Sequence, residues 1–419
     1  MILRLACLSL LRRPARHALL LLILAAACAL PVFLIQMAAG LYNGLNRAVE
    51  PFPILAGAKG SPYQLVINTV FLRDHPIGNI SYGEVEKLRQ SGKADLVLPL
   101  AFGDNYRGFR IAGTEKEIFS YAPNKRSGPW LRVAEGRPFQ GSGEAVVGSE
   151  TAKRTGLRIG DTFRTMHGVT AAPGQEHGEY RVTGILSPVG GPYDTAVLIP
   201  IEDVWSAHRH QPGAVRRGGL VRKSAPQKAA PAETPVLAEG KGGVTAILVH
   251  PKGYKEAMEL LSAAQRERSG ETQLIFPSQT LIALYSMAGQ SREFWQLLAG
   301  GLIGAAVLIT LLSMYWNGLS RLKEFALLRA LGAGSGSIAR LLAAEQALLL
   351  LTGSAAGWLI GWGGSALAAR AVAGRAAVVM TSAPVPESLI PPLAVCLLGM
   401  LSGLLPAWLI RKKDISSIL

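Results

Sequence analysis

HALLLLILAAACALPVFLIQMAAGL, residues 17–41, carries no charged side chain after its first residue. As a helix it would extend ~37 Å at 1.5 Å per residue, enough to cross a hydrocarbon core of ~30 Å. Arg4, Arg12, Arg13 and Arg16 precede it, and small residues end it near Ala38-Ala39-Gly40. That pattern fits a retained membrane anchor or a cleaved secretory signal. The cores of signal peptides are usually about half this length, which favours the anchor. Either way, the chain beyond residue 41 is exported.

Three further apolar runs lie at the other end, residues 294–316, 341–362 and 389–410. The chain is therefore predicted to cross a membrane four times. Its charge agrees on direction. Of the formal net charge of +15, residues 1–17, 317–340 and 411–419 hold eleven Lys/Arg against two acids, all beside apolar runs. Lys/Arg-rich short segments resist translocation and mark the cytoplasmic side. The expected order is a cytoplasmic N-terminus (1–16), a first span (17–41), an exported domain (42–293) and a second span (294–316). A cytoplasmic loop (317–340), a third span (341–362), an outer loop (363–388), a fourth span (389–410) and a cytoplasmic tail (411–419) complete it. With 49% hydrophobic residues and a mean hydropathy of +0.27 over 419 residues, the chain divides naturally between spans and one polar domain. The basic excess flanks membrane spans, so it does not indicate nucleic acid.

Ionisable groups inside the spans usually mark ion or proton paths, and Glu345, near a cytoplasmic end, is the exception here. Small residues recur at spacing four instead: Gly353, Gly357 and Gly361 in the third span, Gly399 and Gly403 in the fourth. Such ridges let helices approach closely, within one protomer or across a dimer seam.

Between residues 43 and 292 the pattern turns to short β-rich segments broken by Gly, Pro and Asn, with some helical stretches, the mark of an α+β domain. Residues 96–100, 109–113, 144–148, 180–186, 196–200 and 245–250 are predicted strands; 81–90 and 254–268 are predicted helices. Ser81-x-x-Glu84 has the spacing of a reciprocal helix cap. Residues 212–243, rich in Pro, Ala, Gly, Lys and Arg, lack periodic apolar signal and read as a mobile loop. The apolar, glycine-punctuated segment 51–71 reads as the first strand and helix of the core, or as a groove near the membrane. Cys7, Cys28 and Cys396 all lie in or beside apolar runs, so the exported domain is without thiols.

No phosphate-cradling Gly-x-x-x-x-Gly-Lys-Ser/Thr loop, His-Glu-x-x-His pair or Gly-x-Ser-x-Gly elbow occurs. The chain is not expected to be an enzyme. His208 and His210 are weak candidates for a metal, two ligands being too few for a tight site.

Ser320-Arg-Leu-Lys-Glu-Phe-Ala-Leu-Leu-Arg-Ala-Leu-Gly-Ala333, followed by Ser337-Ile-Ala-Arg-Leu-Leu-Ala-Ala-Glu345, reads as a short cytoplasmic helix ended by Gly332, then a new helix capped near Ser335 or Ser337. This stretch resembles the signature of FtsX-like permease domains, with Arg321, Glu324, Arg329, Ala330, Leu331, Gly332, Ile338 and Glu345 at matching positions. Glu135-Gly-Arg-Pro-Phe139, Glu144-Ala-Val-Val-Gly-Ser-Glu150, Gly156-Leu-Arg-Ile-Gly-Asp-Thr162 and Tyr180-Arg-Val-Thr-Gly-Ile-Leu186 resemble, in order, the periplasmic core domain of MacB-like proteins.

The resemblance implies a permease subunit of an ABC transporter in the bacterial inner membrane. It implies a homodimer working with a cytosolic ATPase dimer, which would hold the ATP and magnesium, with no cofactor in this chain. A periplasmic adaptor or substrate-binding protein and membrane lipid are further implied partners. Arg321, Glu324, Leu328, Arg329, Ala330, Leu331, Gly332 and Glu345 would receive the ATPase's motion, to expel or extract a substrate. A signalling scaffold that controls a periplasmic partner without transport is the alternative.

Overall fold

A computed structural model describes residues 2–12, 14–124, 128–168, 176–209, 242–267, 270–287, 289–321, 324, 327–329, 331–373 and 383–412. They form two compact units, one of Gly44–Met287, the other drawn from Met1–Asn43, Ala288–Arg375 and Met380–Leu419.

The second unit is helical. A short helix α1 (Ile2–Arg12) precedes α2 (Pro14–Val49), 36 residues that contain the first apolar run. Most of residues 1–16, for which no secondary structure was predicted, is therefore helical. Helix α2, the stretch Gly300–Asn317 and the stretch Gly336–Ala371 are long and apolar enough to cross a membrane. The last helix, Ile390–Lys412, has 23 residues, or ~34 Å, over the fourth predicted span. The third span is longer than expected: its helix runs Ser335–Ala373, so residues 363–373 are helical rather than loop. Apolarity marks the part suited to lipid, whereas the helix ends only where the backbone hydrogen bonding stops.

The first unit is a ten-stranded sheet with helices. Its strands are β1 (Ile54–Ala58), β2 (Ala94–Tyr106), β3 (Phe109–Thr114), β4 (Val133–Gly136), β5 (Glu144–Val147), β6 (Thr162–His167), β7 (Glu176–Leu186), β8 (Ala196–Pro200), β9 (Ala246–Pro251) and β10 (Thr272–Ile275). The spatial order is β10-β1-β9-β2-β3-β8-β5-β7-β4, with β6 pairing β2 and β7. Pairing is antiparallel except for β3 with β8 and β5 with β7. Alternation along the strands fills two cores, one on each face. Leu55, Leu98, Leu100, Ala112, Leu198 and Leu248 belong to the first, and Ile54, Val97, Ile111, Val197, Ile247 and Val249 to the second. Central strands buried on both faces explain the continuous apolar runs of β8 and β9.

Segment 51–71 is core, and the groove alternative falls away. Strand β1 sits between β10 and β9, and helix α3 (Pro62–Thr69) follows with Phe52, Leu65, Val66, Val70 and Phe71 buried. Ser61 caps α3, its Oγ accepting from Gln64 N at 3.4 Å, with Pro62 in the first turn. The predicted cap at Ser81 is corrected. Helix α4 (Gly83–Gln90) begins later, and Ser81 Oγ accepts from Gly83 N at 3.1 Å, two residues on, in place of a reciprocal bond with Glu84. Helices α5 (Ser149–Thr155), α6 (Ile201–Arg209), α7 (Tyr254–Arg266) and α8 (Pro277–Met287) complete the unit. Residues 212–241 lie outside the described residues, as do the side chain of His208 and the whole of His210. Among the described residues, no three His, Cys, Asp or Glu converge as metal ligands.

One ion pair makes this unit sensitive to pH. His167, at the end of β6, lies with Nδ1 3.3 Å from Oδ1 of Asp104, a residue of β2 that is only 3% exposed. The hydrogen bond to Asp104 holds the imidazole above its usual 6.5, outweighing burial. A raised pKa in the folded state means stability fully present below about 6.5 and lost as the pH climbs through the folded value. Between pH 6 and 9 the melting temperature of the wild type should therefore fall more than that of His167→Gln. Parallel melting curves for the two would refute this account of the pair.

Candidate functional site

Helix α9 (Gly289–Leu319) leads into the segment predicted to be cytoplasmic, and α10 (Ser335–Ala373) leaves it. Between them the helical turn at residues 327–329 is closed by Gly332, whose φ of +94° suits a residue without Cβ. Ala333 N donates to Leu328 O and Gly332 N to Arg329 O, both at 3.0 Å, the paired bonds of a Schellman stop. The serine cap expected for α10 is displaced: Ser335 is its first residue, and Gly334 O accepts from Ile338 N at 3.2 Å.

Arg321 is the centre of the site. Its Nη1 donates to Glu345 of α10, its Nε to Glu324 at 3.2 Å, and its Nη2 to Ser9 of α1 at 3.0 Å. All three sides of one guanidinium are engaged, by three separate pieces of chain. Glu345 is 2% exposed, so the pair is buried, and its second oxygen, Oε1, has no hydrogen-bond partner. Beside it Arg16, near the start of α2, donates to Ser320 Oγ and to Asn317 O. His17 Nδ1 lies 2.7 Å from Leu10 O, tying α2 back to α1. A fixed guanidinium with two carboxylates resists independent movement of the elements it joins.

The resemblance named Arg321, Glu324 and Glu345 but not their meeting point, and it did not name Ser9 or Arg16. No periodic or motif signal marks Ser9; only the fold brings it within reach. Arg329 is half-buried and has further interactions of its own. Leu327, Leu328 and Leu331 are exposed, Leu331 by 80%. Ala330 lies outside the described residues.

The glycine ridge of α10 packs within the protomer. A Cβ on Gly353 would lie 2.7 Å from Leu24 Cβ, and on Gly357 or Gly361 2.6 Å from Ala25 O or Ala29 O of α2. A Cβ on Gly399, in α11 (Ile390–Lys412), would lie 2.6 Å from Leu350 of α10. Only the backbone of Gly403 is described. A second knot, which no sequence signal marks, holds the start of α11. Gln36 Nε2 and Trp358 Nε1 both donate to Ser388 Oγ, at 3.3 and 3.0 Å.

Residues 22–234, half of the chain, match the model of the MacB-like periplasmic core domain, and residues 297–415 match that of the FtsX-like permease C-terminal domain. No curated protein sequence matches the chain. A similar solved structure is the extracellular domain of the noncanonic ABC-type transporter YknZ from Gram-positive bacteria, with a TM-score of 0.30 and 12% identity, covering 53% of this chain and 98% of that one. With a membrane unit and a large α+β domain placed in the family's order, the chain belongs to the MacB/FtsX-like family of ABC transporter permeases.

Proposed function

We propose that this chain is the permease subunit through which a separate cytosolic ATPase pair moves the exported domain, to expel or extract a substrate on the outer face of the inner membrane. Both termini then lie in the cytoplasm, and two copies form the working permease. The observation that carries this reading is the buried Arg321–Glu345 pair. It fastens the segment nearest the cytosol to the 39-residue helix α10 and, through Ser9, to α1. Exposed Leu327, Leu328 and Leu331 on that segment offer an apolar contact for the ATPase. A push received there is delivered to long helices instead of being absorbed by a loose loop.

The test is purification of the cross-linked chain from its native membrane, with mass spectrometry of what accompanies it, for wild type and for Glu324→Arg combined with Arg329→Glu. An ABC ATPase should accompany the wild type and be lost from the variant. If no ATPase appears with either, the permease reading is wrong.

A further inference from the structure

Arg110, the second residue of β3, lies on the same face as Ala112, two residues on, and is only 4% exposed. Its Nη1 donates to the carbonyl oxygen of Asp74 at 2.7 Å, and its guanidinium lies 5.5 Å from the ring centroid of Phe102. Its Nε and Nη2 are buried and no protein atom accepts from them. These two donors form one edge of the guanidinium, the fork that grips a carboxylate or phosphate through two parallel hydrogen bonds. Burial pushes the group down to about 10, which leaves it charged at neutral pH.

The other buried charges of this unit are well compensated. Asp194 accepts from Val189 N, Gly190 N, Gly191 N and Ser149 Oγ, and Asp203 from Ser142 Oγ and Gly143 N. A buried guanidinium whose hydrogen bonding rests on one carbonyl is the exception among them, the half-exposed Asp74 carboxylate being the counter-charge that acts on it. The carbonyl that holds Arg110 also accepts from Asn68 Nδ2 at 3.0 Å, so the two side chains meet on Asp74 O. Asn68 Oδ1 and Thr69 Oγ1, on the adjoining turn of α3, are likewise buried without partners. Above them the chain turns through left-handed conformations at Leu72 (φ 53°) and Asp74 (φ 64°), and the side chains of Asp74 and His75 are 53% and 66% exposed. The cluster therefore lies one residue beneath the surface.

We propose that the Nε/Nη2 edge of Arg110, with Asn68 and Thr69 beside it under the 72–75 turn, is a binding site for a phosphate-class oxyanion. A hydrogenphosphate group carries acceptors for the fork and an O–H for a carbonyl such as Asn68 Oδ1. A carboxylate supplies only the acceptors.

The test is calorimetric titration of the full chain, in a maltoside detergent, with inorganic phosphate and separately with acetate. Wild type should bind phosphate saturably and more tightly than acetate. Arg110→Lys should weaken phosphate by about tenfold, since an ammonium is a point charge without the fork. Arg110→Gln should abolish binding, while Arg107→Gln, an exposed cation three residues away, should leave it unchanged. Melting curves on the same samples establish that each variant is folded, and phosphate should raise the melting temperature of the wild type but not of Arg110→Gln. Absence of saturable binding by the wild type, or equal binding by folded Arg110→Gln, overturns the site. Acetate binding as tight as phosphate overturns the phosphate assignment.

Discussion

Glu345→Ala should destabilise the protein by about 3–5 kcal/mol, the usual cost of removing one member of a buried ion pair. The substitution leaves the Arg321 guanidinium with Glu324, whose side chain is 38% exposed, and with Ser9, neither a replacement for a carboxylate that is 2% exposed. Denaturation in detergent, followed by tryptophan fluorescence, measures the loss. The double variant Arg321→Met with Glu345→Leu separates stability from coupling. Two apolar side chains of similar volume should restore most of the lost stability, because neither leaves a charge unpaired. Such a variant would still lack the three-way tie among α1, the segment around Arg321 and α10. If the tie transmits motion, the double variant should be stable yet recover no activity that depends on the ATPase. Recovery of both would reduce the pair to a structural element.

The second large effect is expected at Gly357. A Cβ there would stand 2.6 Å from Ala25 O and 2.6 Å from Cys28 Cβ, and backbone cannot rotate aside as a long side chain can. Gly357→Leu should therefore push α10 off α2, at a cost near the upper end of the usual overpacking penalty of about 1–3 kcal/mol. Cys28 is fully buried at this contact and shares Ser354 with Cys396, at 3.8 and 3.4 Å. Maleimide labelling of Cys28 in native membranes should rise in Gly357→Leu, with exposed Cys7 as the internal reference. Gly363→Leu is the matched control, since a Cβ at that position meets nothing within 4 Å. Unchanged Cys28 labelling in Gly357→Leu, or equal effects at the two glycines, would show that the α2–α10 contact does not depend on this ridge.

Much of the helical unit and several strands were legible because the signals involved are local. An apolar run of about 20 residues reads as a membrane helix wherever it sits, and the short runs 109–113 and 196–200 read as strands because β3 and β8 are buried on both faces. The small-residue spacing in α10 was also legible, though its partner was not: spacing four allows close approach by any helix, and only the fold shows α2 there. Helix α1 was missed since its arginines resembled a simple topogenic flank, and the Ser81 cap was misread because the motif allows more than one local hydrogen bond.

The sequence by itself determined where the chain can live and what kind of domain lies between its apolar runs, since hydropathy, charge placement and period are properties of neighbouring residues. It also carried, through resemblance, the identities of Arg321, Glu324 and Glu345. Only the tertiary structure decided that one guanidinium serves both carboxylates and Ser9 together, over separations of up to 312 residues. Only it decided that Gln36 and Trp358 share Ser388, and that Arg110 is buried with the Nε/Nη2 edge of its guanidinium unused. The physical reason is the same in each case. Hydrogen bonds, desolvation and steric contact depend on which distant groups arrive within about 3–4 Å of one another, and no periodicity along the chain encodes that distance.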